Sequence, residues 1–210
     1  MDLGLERAGF RCVGQVENDN ACRRVLALRW PGVGRWGDVR SVSPDGRNTQ
    51  SGRGDVGTHT ESGEWWSGGA WSRRVDLLVG GFPCQGASVA GKHRGLADDR
   101  TALFWEICRI QDQVCAPWGL FENVPGLRSV NAGRDFETVL FALKERWSVV
   151  GWRILDSRYF GVAQRRRRVF FVCGPDEARV REVLFEPEGG GGHPAAGGAA
   201  GAGVAGPLGG

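Results

Sequence analysis

A cysteine that could act as a nucleophile stands at position 84, within the stretch Gly-Gly-Phe-Pro-Cys-Gln at 80–85. The apolar run Val75 to Val79 before it predicts a buried β-strand, and the two glycines predict where that strand ends. Pro83 fixes φ and lacks a backbone donor, so a central strand cannot continue through it. We therefore predict that Cys84 lies in a rigid turn at the carboxyl edge of a sheet, where open α/β sheets bind ligands. The alternative is a buried, inert thiol, because free cysteines are commonly core residues.

A carboxylate, Glu122, lies in the strand-like run 118–124 that follows along the chain. The helical pattern over about 101–115 joins this strand to the one before Cys84. A right-handed crossover through that helix makes the two strands near neighbours, so Cys84 and Glu122 are expected to face one crevice. A partly buried carboxyl there suits a group that must hold or donate a proton. The alternative is a surface carboxylate paired with an arginine.

Four consecutive arginines, Arg165 to Arg168, lead directly into the apolar run 169–173. Because successive side chains alternate between the faces of a strand, Arg166 and Arg168 are expected to share one face. The simpler interpretation of the run is a solvated basic stretch.

Helical and strand-like patterns alternate along the chain, which predicts an α/β fold with a mostly parallel sheet. Helices are predicted over about 1–8, 20–30, 101–115 and 134–147, and strands over 10–16, 36–42, 75–79, 118–124, 152–155 and 169–173. Residues 43–72 have no apolar period and are predicted to be a disordered insertion. From residue 186 onward the Gly- and Ala-rich tail cannot offset its ordering entropy, so 186–210 is predicted to be disordered.

The composition of the 210 residues excludes several classes of protein. No C-x-x-C pair occurs among the six cysteines and the three histidines are scattered, so no metal site is predicted. No run approaches the roughly 20 apolar residues that cross a membrane. With no signal peptide, a cytoplasmic location is expected. The formal charge of +3 is too small to indicate a nucleic-acid partner by itself.

Three motifs in order resemble the catalytic core of the DNA cytosine-5 methyltransferases: Gly-Gly-Phe-Pro-Cys-Gln at 80–85, Phe-Glu-Asn-Val at 121–124 and Gln-Arg-Arg-Arg-Arg at 164–168. The similarity extends from residue 2 to about 174, apart from the insertion. It implies a Rossmann-like, S-adenosylmethionine-dependent methyltransferase domain over 1–185. The implied reaction transfers a methyl group from S-adenosylmethionine to carbon 5 of a flipped-out cytosine in double-stranded DNA.

The resemblance also implies roles for individual residues. Cys84 attacks carbon 6 of the base, Glu122 holds and protonates nitrogen 3, and Arg166 with Arg168 holds the base oxygen. The implied cofactor contacts are Glu17 at the ribose, Asp38 near the adenine amine, Leu103 against the adenine, and Pro83. The implied DNA contacts are Gln85, Ser88 and Gln164.

Glu17 also stands out without the resemblance, because an acidic residue at the end of a strand often binds a ribose hydroxyl in nucleotide-type folds. The alternative is that Glu17 or Asp19 only caps the helix that follows.

The chain departs from the family pattern at both ends. The strand and Phe-x-Gly-x-Gly-Gly turn with which the family opens have no counterpart after Met1, and no target-recognition region is found after Gly174. We therefore expect a truncated methyltransferase core, with an inactive remnant or one half of a split enzyme that needs a partner chain as alternatives. Arg167 stands where an acid is more usual. A cysteine hydrolase using Cys84 with His93 would also need an acid to orient the histidine and an oxyanion hole, and the sequence shows neither clearly.

Overall fold

The computed structural model describes residues 1–42, 75–83, 102–161, 163–185 and 203–205. The chain divides into two compact units, Met1–Val75 and Asp76–Gly210. The predicted insertion and most of the predicted tail lie outside the described residues.

Helices and strands alternate along the chain, which confirms the α/β prediction. The helices are α1 (Asp2–Arg7), α2 (Asn20–Arg29), α3 (Ala102–Val114), α4 (Arg134–Lys144) and α5 (Glu177–Leu184). The strands are β1 (Gly14–Val16), β2 (Gly34–Trp36), β3 (Leu77–Gly81), β4 (Trp118–Asn123), β5 (Val149–Asp156), β6 (Arg167–Gly174) and β7 (Gly203–Ala205). Short 3-10 turns occupy Val39–Ser41, Pro125–Arg128, Val130–Gly133 and Ser157–Phe160.

The larger sheet has the order β3-β4-β6-β5-β7, and β1 and β2 form a separate parallel pair. As the crossover argument predicts, β3 and β4 are parallel neighbours. However, β6 runs antiparallel to both β4 and β5, so the sheet is mixed rather than mostly parallel. The physical reason is the short connection 157–166 between β5 and β6, because a parallel crossover needs a dozen residues or more.

Strand β3 lies two residues later than predicted, because Gly80 and Gly81 belong to the strand instead of ending it. They pair with Phe121 and Glu122 of β4. A Cβ atom placed on Gly80 would lie 3.2 Å from Cδ1 of Ile107, so the glycine allows α3 to pack closely on the strand. The strand thereby brings its last residue directly beside Glu122.

The prediction of a strand over 36–42 is wrong, because β2 ends at Trp36 and a 3-10 turn follows. The carboxylate of Asp38 accepts a hydrogen bond of 2.9 Å from the backbone N–H of Arg40. Aspartate favours such local bonds to the backbone, which compete with an extended ladder. The consequence is that Asp38 stands just beyond the end of β2.

Part of the predicted tail is a strand. Gly203–Ala205 forms β7 and pairs with Val150, Gly151 and Trp152 of β5. This pairing provides backbone partners along the outer edge of β5.

The larger sheet is covered on both faces. On one face, Phe104 of α3 and Leu143 of α4 join a core with Phe121 and Phe171, and all four are fully buried. On the other face, residues of α5 pack against Val149 and Val172, with Val180 fully buried. Each such side chain contributes about 1.5–3 kcal/mol relative to exposure. This packing fixes the strands whose ends carry the candidate site.

In the first unit, a buried arginine ties α2 to the two short strands. The Nη2 atom of Arg35 donates to the carbonyls of Leu26, at 2.7 Å, and Trp30, and its Nε donates to Oε1 of Gln15 at 2.8 Å. Carbonyls at the end of a helix need such partners because no further turn follows to bond them. The arrangement orders the helix end against β1 and β2.

Candidate active site

Glu122, Arg166 and Arg168 meet at the carboxyl end of β4. Nη2 of Arg166 and Nε of Arg168 each lie 2.9 Å from the same carboxylate oxygen, Oε1 of Glu122. The side chains of Glu122 and Arg168 are 20% and 24% exposed, whereas that of Arg166 is 46% exposed. The charge-assisted hydrogen bond from Arg166 and the ion pair with Arg168 orient the carboxylate, and its partial burial limits screening by water. The two arginines share a face, as strand alternation predicts.

The second carboxylate oxygen of Glu122, Oε2, points away from the contacts that the described residues make with Oε1. Among the described residues, Oε2 accepts no hydrogen bond, because both arginines contact Oε1. A Cβ atom placed on Gly81 would lie 3.7 Å from Oε2, so this oxygen stands over the last residue of β3. A polar group of a ligand at this sheet edge could therefore bind Oε2 without displacing either arginine.

Asn123 connects the ends of β4 and β3. It is 4% exposed, its Nδ2 donates to the carbonyl of Phe82 at 3.0 Å, and its Oδ1 accepts from the N–H of Val124 at 2.7 Å. The first bond holds the chain immediately before Pro83. Sequence reasoning missed this role, although an amide beside Glu122 at the end of a buried strand is a usable signal, because buried polar groups require partners.

Ser157 holds the segment that leads into Arg166. Its Oγ donates to the carbonyl of Gln164 at 2.5 Å and accepts from the N–H of Arg166 at 3.1 Å. Its own N–H donates to the carbonyl of Arg166 at 3.0 Å. These bonds fix the backbone of Arg166 and the residues before it. A serine in a turn carries no sequence signal for this role.

Glu17 and Asp38 follow the parallel strands β1 and β2 at the same edge of the small sheet. Oε1 of Glu17 accepts from the N–H of Asp19 at 2.8 Å, and Asp19 in turn caps α2 by accepting from the N–H of Cys22 at 2.8 Å. That bond to Cys22 lowers the pKa of the Asp19 carboxyl. The capping interpretation is therefore correct for Asp19. Two carboxylates at the carboxyl edge of parallel strands also fit the binding of a ribose hydroxyl and an amine.

The remaining predicted site residues divide between described and undescribed parts of the chain. Pro83 and Leu103 belong to the second unit and are half-buried, and Gln164 is exposed. Cys84, Gln85, Ser88 and His93 lie outside the described residues.

Two cysteines of the second unit are core thiols. Burial raises the pKa of Cys108 to about 11, and it raises the pKa of Cys173 far above its usual range. Both are therefore protonated at neutral pH, and a thiol is a much weaker nucleophile than a thiolate. Neither is a candidate for the attacking group.

The described part of the chain has no group of three or more His, Cys, Asp or Glu side chains placed to hold a metal ion. None of the helices formed by the described residues is long and apolar enough to cross a membrane.

The profile of the C-5 cytosine-specific DNA methylases matches residues 1–185. The chain belongs to this family. It is 29% identical to the Type II methyltransferase M.DsaV of Dactylococcopsis salina, over 89% of this chain and 45% of that protein. It is 30% identical to the Type II methyltransferase M.AquIA of Picosynechococcus, over 82% of this chain and 66% of that protein. The chain thus spans about half to two thirds of the length of these curated relatives.

Solved structures confirm the methyltransferase fold. A prophage-encoded E. coli protein described as a putative DNA modification methyltransferase superposes with a TM-score of 0.59 at 21% identity, covering 82% of this chain and 42% of that one. DNMT2 of Spodoptera frugiperda superposes with a TM-score of 0.56 at 18% identity, covering 83% and 46%. The Rossmann-like fold predicted from the resemblance is therefore confirmed, and the cofactor of this family is S-adenosylmethionine.

Proposed function

We propose that this chain is the catalytic core of a DNA cytosine-5 methyltransferase that acts on double-stranded DNA. The observation that supports the proposal most directly is the Glu122 carboxylate, which is oriented by Arg166 and Arg168 and lies beside Gly81, the last residue of β3. Cys84 follows three residues later in the sequence. Family membership supports the class of reaction, and this geometry supports the roles that we propose for Glu122, Arg166 and Arg168.

In the proposed reaction the Cys84 thiolate forms a bond to carbon 6 of cytosine. The π electrons of the C5–C6 bond move toward the N3 side of the ring, and N3 takes a proton from Glu122. Carbon 5 is then nucleophilic and would take the methyl group as its bond to the sulfonium sulfur of S-adenosylmethionine breaks, with S-adenosylhomocysteine as the leaving group. Loss of the proton from carbon 5 expels the Cys84 thiolate and restores the aromatic ring, and Glu122 recovers its proton from N3. Covalent catalysis of this kind divides one difficult step into easier ones.

The contacts of Glu122 suit this role. Because Arg166 and Arg168 both bind Oε1, Oε2 would be the oxygen that carries the proton and donates it to N3 of the base. The same guanidinium groups carry further N–H donors, which can bind the exocyclic oxygen next to N3. The carboxylate and the two arginines would then recognise one edge of the cytosine.

Bound S-adenosylmethionine would supply an electrophilic methyl group. Glu17 and Asp38 would bind its ribose and its adenine amine, because they follow adjacent parallel strands. The family resemblance also assigns cofactor contacts to Leu103 and Pro83.

A cytosine within a duplex is out of reach of these groups, so the base must be rotated out of the stack. Gln85, Ser88 and Gln164 are the residues we propose to contact the DNA around the flipped base. We place the reaction in the cytoplasm.

Two measurements test the proposal. Calorimetric titration of the chain with S-adenosylmethionine should show saturable binding. With the cofactor present, duplex DNA bearing 5-fluorocytosine should capture the chain covalently, because fluorine at carbon 5 cannot leave as a proton does. Cys84→Ser should abolish capture, whereas the control Cys115→Ser, which removes an exposed thiol, should not.

Glu122→Gln should cut the rate of methyl transfer by about 10²–10⁴-fold with nearly unchanged cofactor affinity. Capture by the Cys84→Ser variant, or a wild-type rate with Glu122→Gln, would contradict the assigned roles. A folded chain that binds no S-adenosylmethionine would contradict the proposed activity itself.

A further inference from the structure

Five arginines and two carboxylates are concentrated where β4 and β5 end and β6 begins. Glu122 binds Arg166 and Arg168. Asp156, which is 7% exposed, binds Nε of Arg158 at 3.3 Å. Both carboxylates are thus already paired. The five arginines and two carboxylates give this region a net charge of +3, which equals the formal net charge of the whole chain.

Arg165 and Arg167 are the arginines left over. Both are exposed, and neither forms an ion pair within the part of the chain that the structure describes. Arg167 stands directly opposite Asp156 in the β5–β6 ladder, but the Asp156 carboxylate is engaged by the side chain of Arg158 and its backbone N–H. As far as the described residues are concerned, the two guanidinium groups are therefore available to an external anion.

Successive arginine side chains at the start of β6 project to opposite faces of the sheet. Arg166 and Arg168 share the face of Glu122, so Arg167 projects to the other face at the same end of the strand. Arg158 binds Asp156, the residue opposite Arg167 in the β5–β6 ladder, and its guanidinium lies 4.7 Å from the centre of the Tyr159 ring. The sheet edge that holds the base-binding groups is thus bordered by cations that do not take part in that site.

We propose that Arg165 and Arg167 form a phosphate-binding rim that holds the DNA backbone beside the flipped cytosine. This inference rests on the proposed function, because a duplex presents phosphates on both sides of a base that enters the site. Guanidinium groups bind phosphate oxygens in a bidentate manner and remain charged at any working pH. Phosphate contacts position a protein on DNA without reading its sequence.

The test is the salt dependence of duplex binding by the full chain. A fluorescent duplex of mixed sequence is titrated with the wild type and with Arg165→Gln/Arg167→Gln at salt concentrations from about 50 to 200 mM. Each lost phosphate contact removes about 0.9 from the slope of log K against log salt, so the double variant should lose about 1.8. Its unfolding midpoint should equal that of the wild type, because neither side chain has a described ion pair.

The matched control is Arg179→Gln/Arg181→Gln, which removes the same charge from α5. These side chains are 67% and 61% exposed and pair locally with Asp176 and Glu177. The control should keep the wild-type slope. In addition, Arg165→Lys/Arg167→Lys should recover most of the slope, because lysine also neutralises phosphate as a point charge.

The outcomes separate this inference from the function on which it rests. Equal slopes for the two glutamine double variants would show that only total charge matters, and would overturn the rim while leaving the methyltransferase proposal intact. A folded wild-type chain that binds S-adenosylmethionine but no duplex at any salt concentration would overturn both.

Discussion

Replacing Asn123 with alanine tests how the end of β4 holds the turn before Cys84. The substitution removes the bond from Nδ2 to the Phe82 carbonyl and the bond from the Val124 N–H to Oδ1. Phe82 is 6% exposed, so its carbonyl is left unsatisfied away from water, whereas Val124 is 36% exposed and its N–H can bond to water. A buried unsatisfied group costs about 1–3 kcal/mol and a lost exchangeable bond about 1. We expect the free energy of unfolding to fall by about 2–4 kcal/mol.

A matched control exists elsewhere in the same unit. Gln111 is 4% exposed and forms the same kind of two-bond clamp on Ala116, donating to its carbonyl at 2.9 Å and accepting from its N–H at 3.2 Å. In Gln111→Ala the Ala116 carbonyl keeps its bond from Nε1 of Trp147, but the N–H of Ala116, which is 2% exposed, is left unsatisfied. We therefore expect the free energy of unfolding to fall by about 1–3 kcal/mol. Only Asn123→Ala should also change the alkylation rate of Cys84, because only Asn123 bonds to the chain two residues before it.

Denaturant unfolding gives the stability of each variant, and mass spectrometry of alkylated peptides under native conditions gives the reactivity of Cys84. A third variant, Asn123→Asp, keeps the acceptor for Val124 but turns an oxygen toward the Phe82 carbonyl. It should destabilise at least as much as Asn123→Ala. The reasoning is refuted if Asn123→Asp lowers the free energy of unfolding by less than Asn123→Ala does. It is also refuted if both alanine variants change the alkylation rate of Cys84 equally, because the bond to Phe82 would then not hold the chain before Cys84.

Three further predictions concern other parts of the second unit. Ser157→Ala should reduce the methyl-transfer rate without weakening cofactor binding, because it removes the two side-chain bonds to the Gln164 carbonyl and the Arg166 N–H. Ser157→Thr should keep the rate, and steady-state kinetics of both variants check this. Gly119→Ala should cost about 1–3 kcal/mol in denaturant unfolding, because its Cβ would lie 2.9 Å from Cζ2 of Trp147, whereas Gly126→Ala, with open space at its Cβ, should not. Burial raises the pKa of Cys108 to about 11 in the folded state. Its contribution to stability is therefore present below about pH 8.5, the pKa of a free thiol, and is lost as the pH rises toward 11. The free energy of unfolding of Cys108→Ala, measured against pH, should lack this loss.

The long helices were predictable because their apolar residues recur at helical spacing over several turns. The helix predicted over about 101–115 is α3, Ala102–Val114, and the one over about 134–147 begins at Arg134 as α4 but ends at Lys144. The strand ends were less predictable. A Gly-Gly pair is compatible with a turn and with close packing inside a strand. The Cδ1 atom of Ile107 packs against Gly80, so the pair belongs to β3. The antiparallel direction of β6 was also missed, although the length of its connection to β5 contains the information.

The sequence by itself determined the family and the residues with chemical potential, because motif residues keep their types and order whatever the fold around them. It also determined that Arg166 and Arg168 share a face, because strand alternation is a local property. Only the tertiary structure decided that both arginines bind one oxygen of Glu122, and that Asn123 reaches Phe82. Such contacts join residues some 40 positions apart in the chain, as the Asn123–Phe82 bond does at 41. They depend on how strands are ordered and how side chains fill the space between them, which no local pattern specifies.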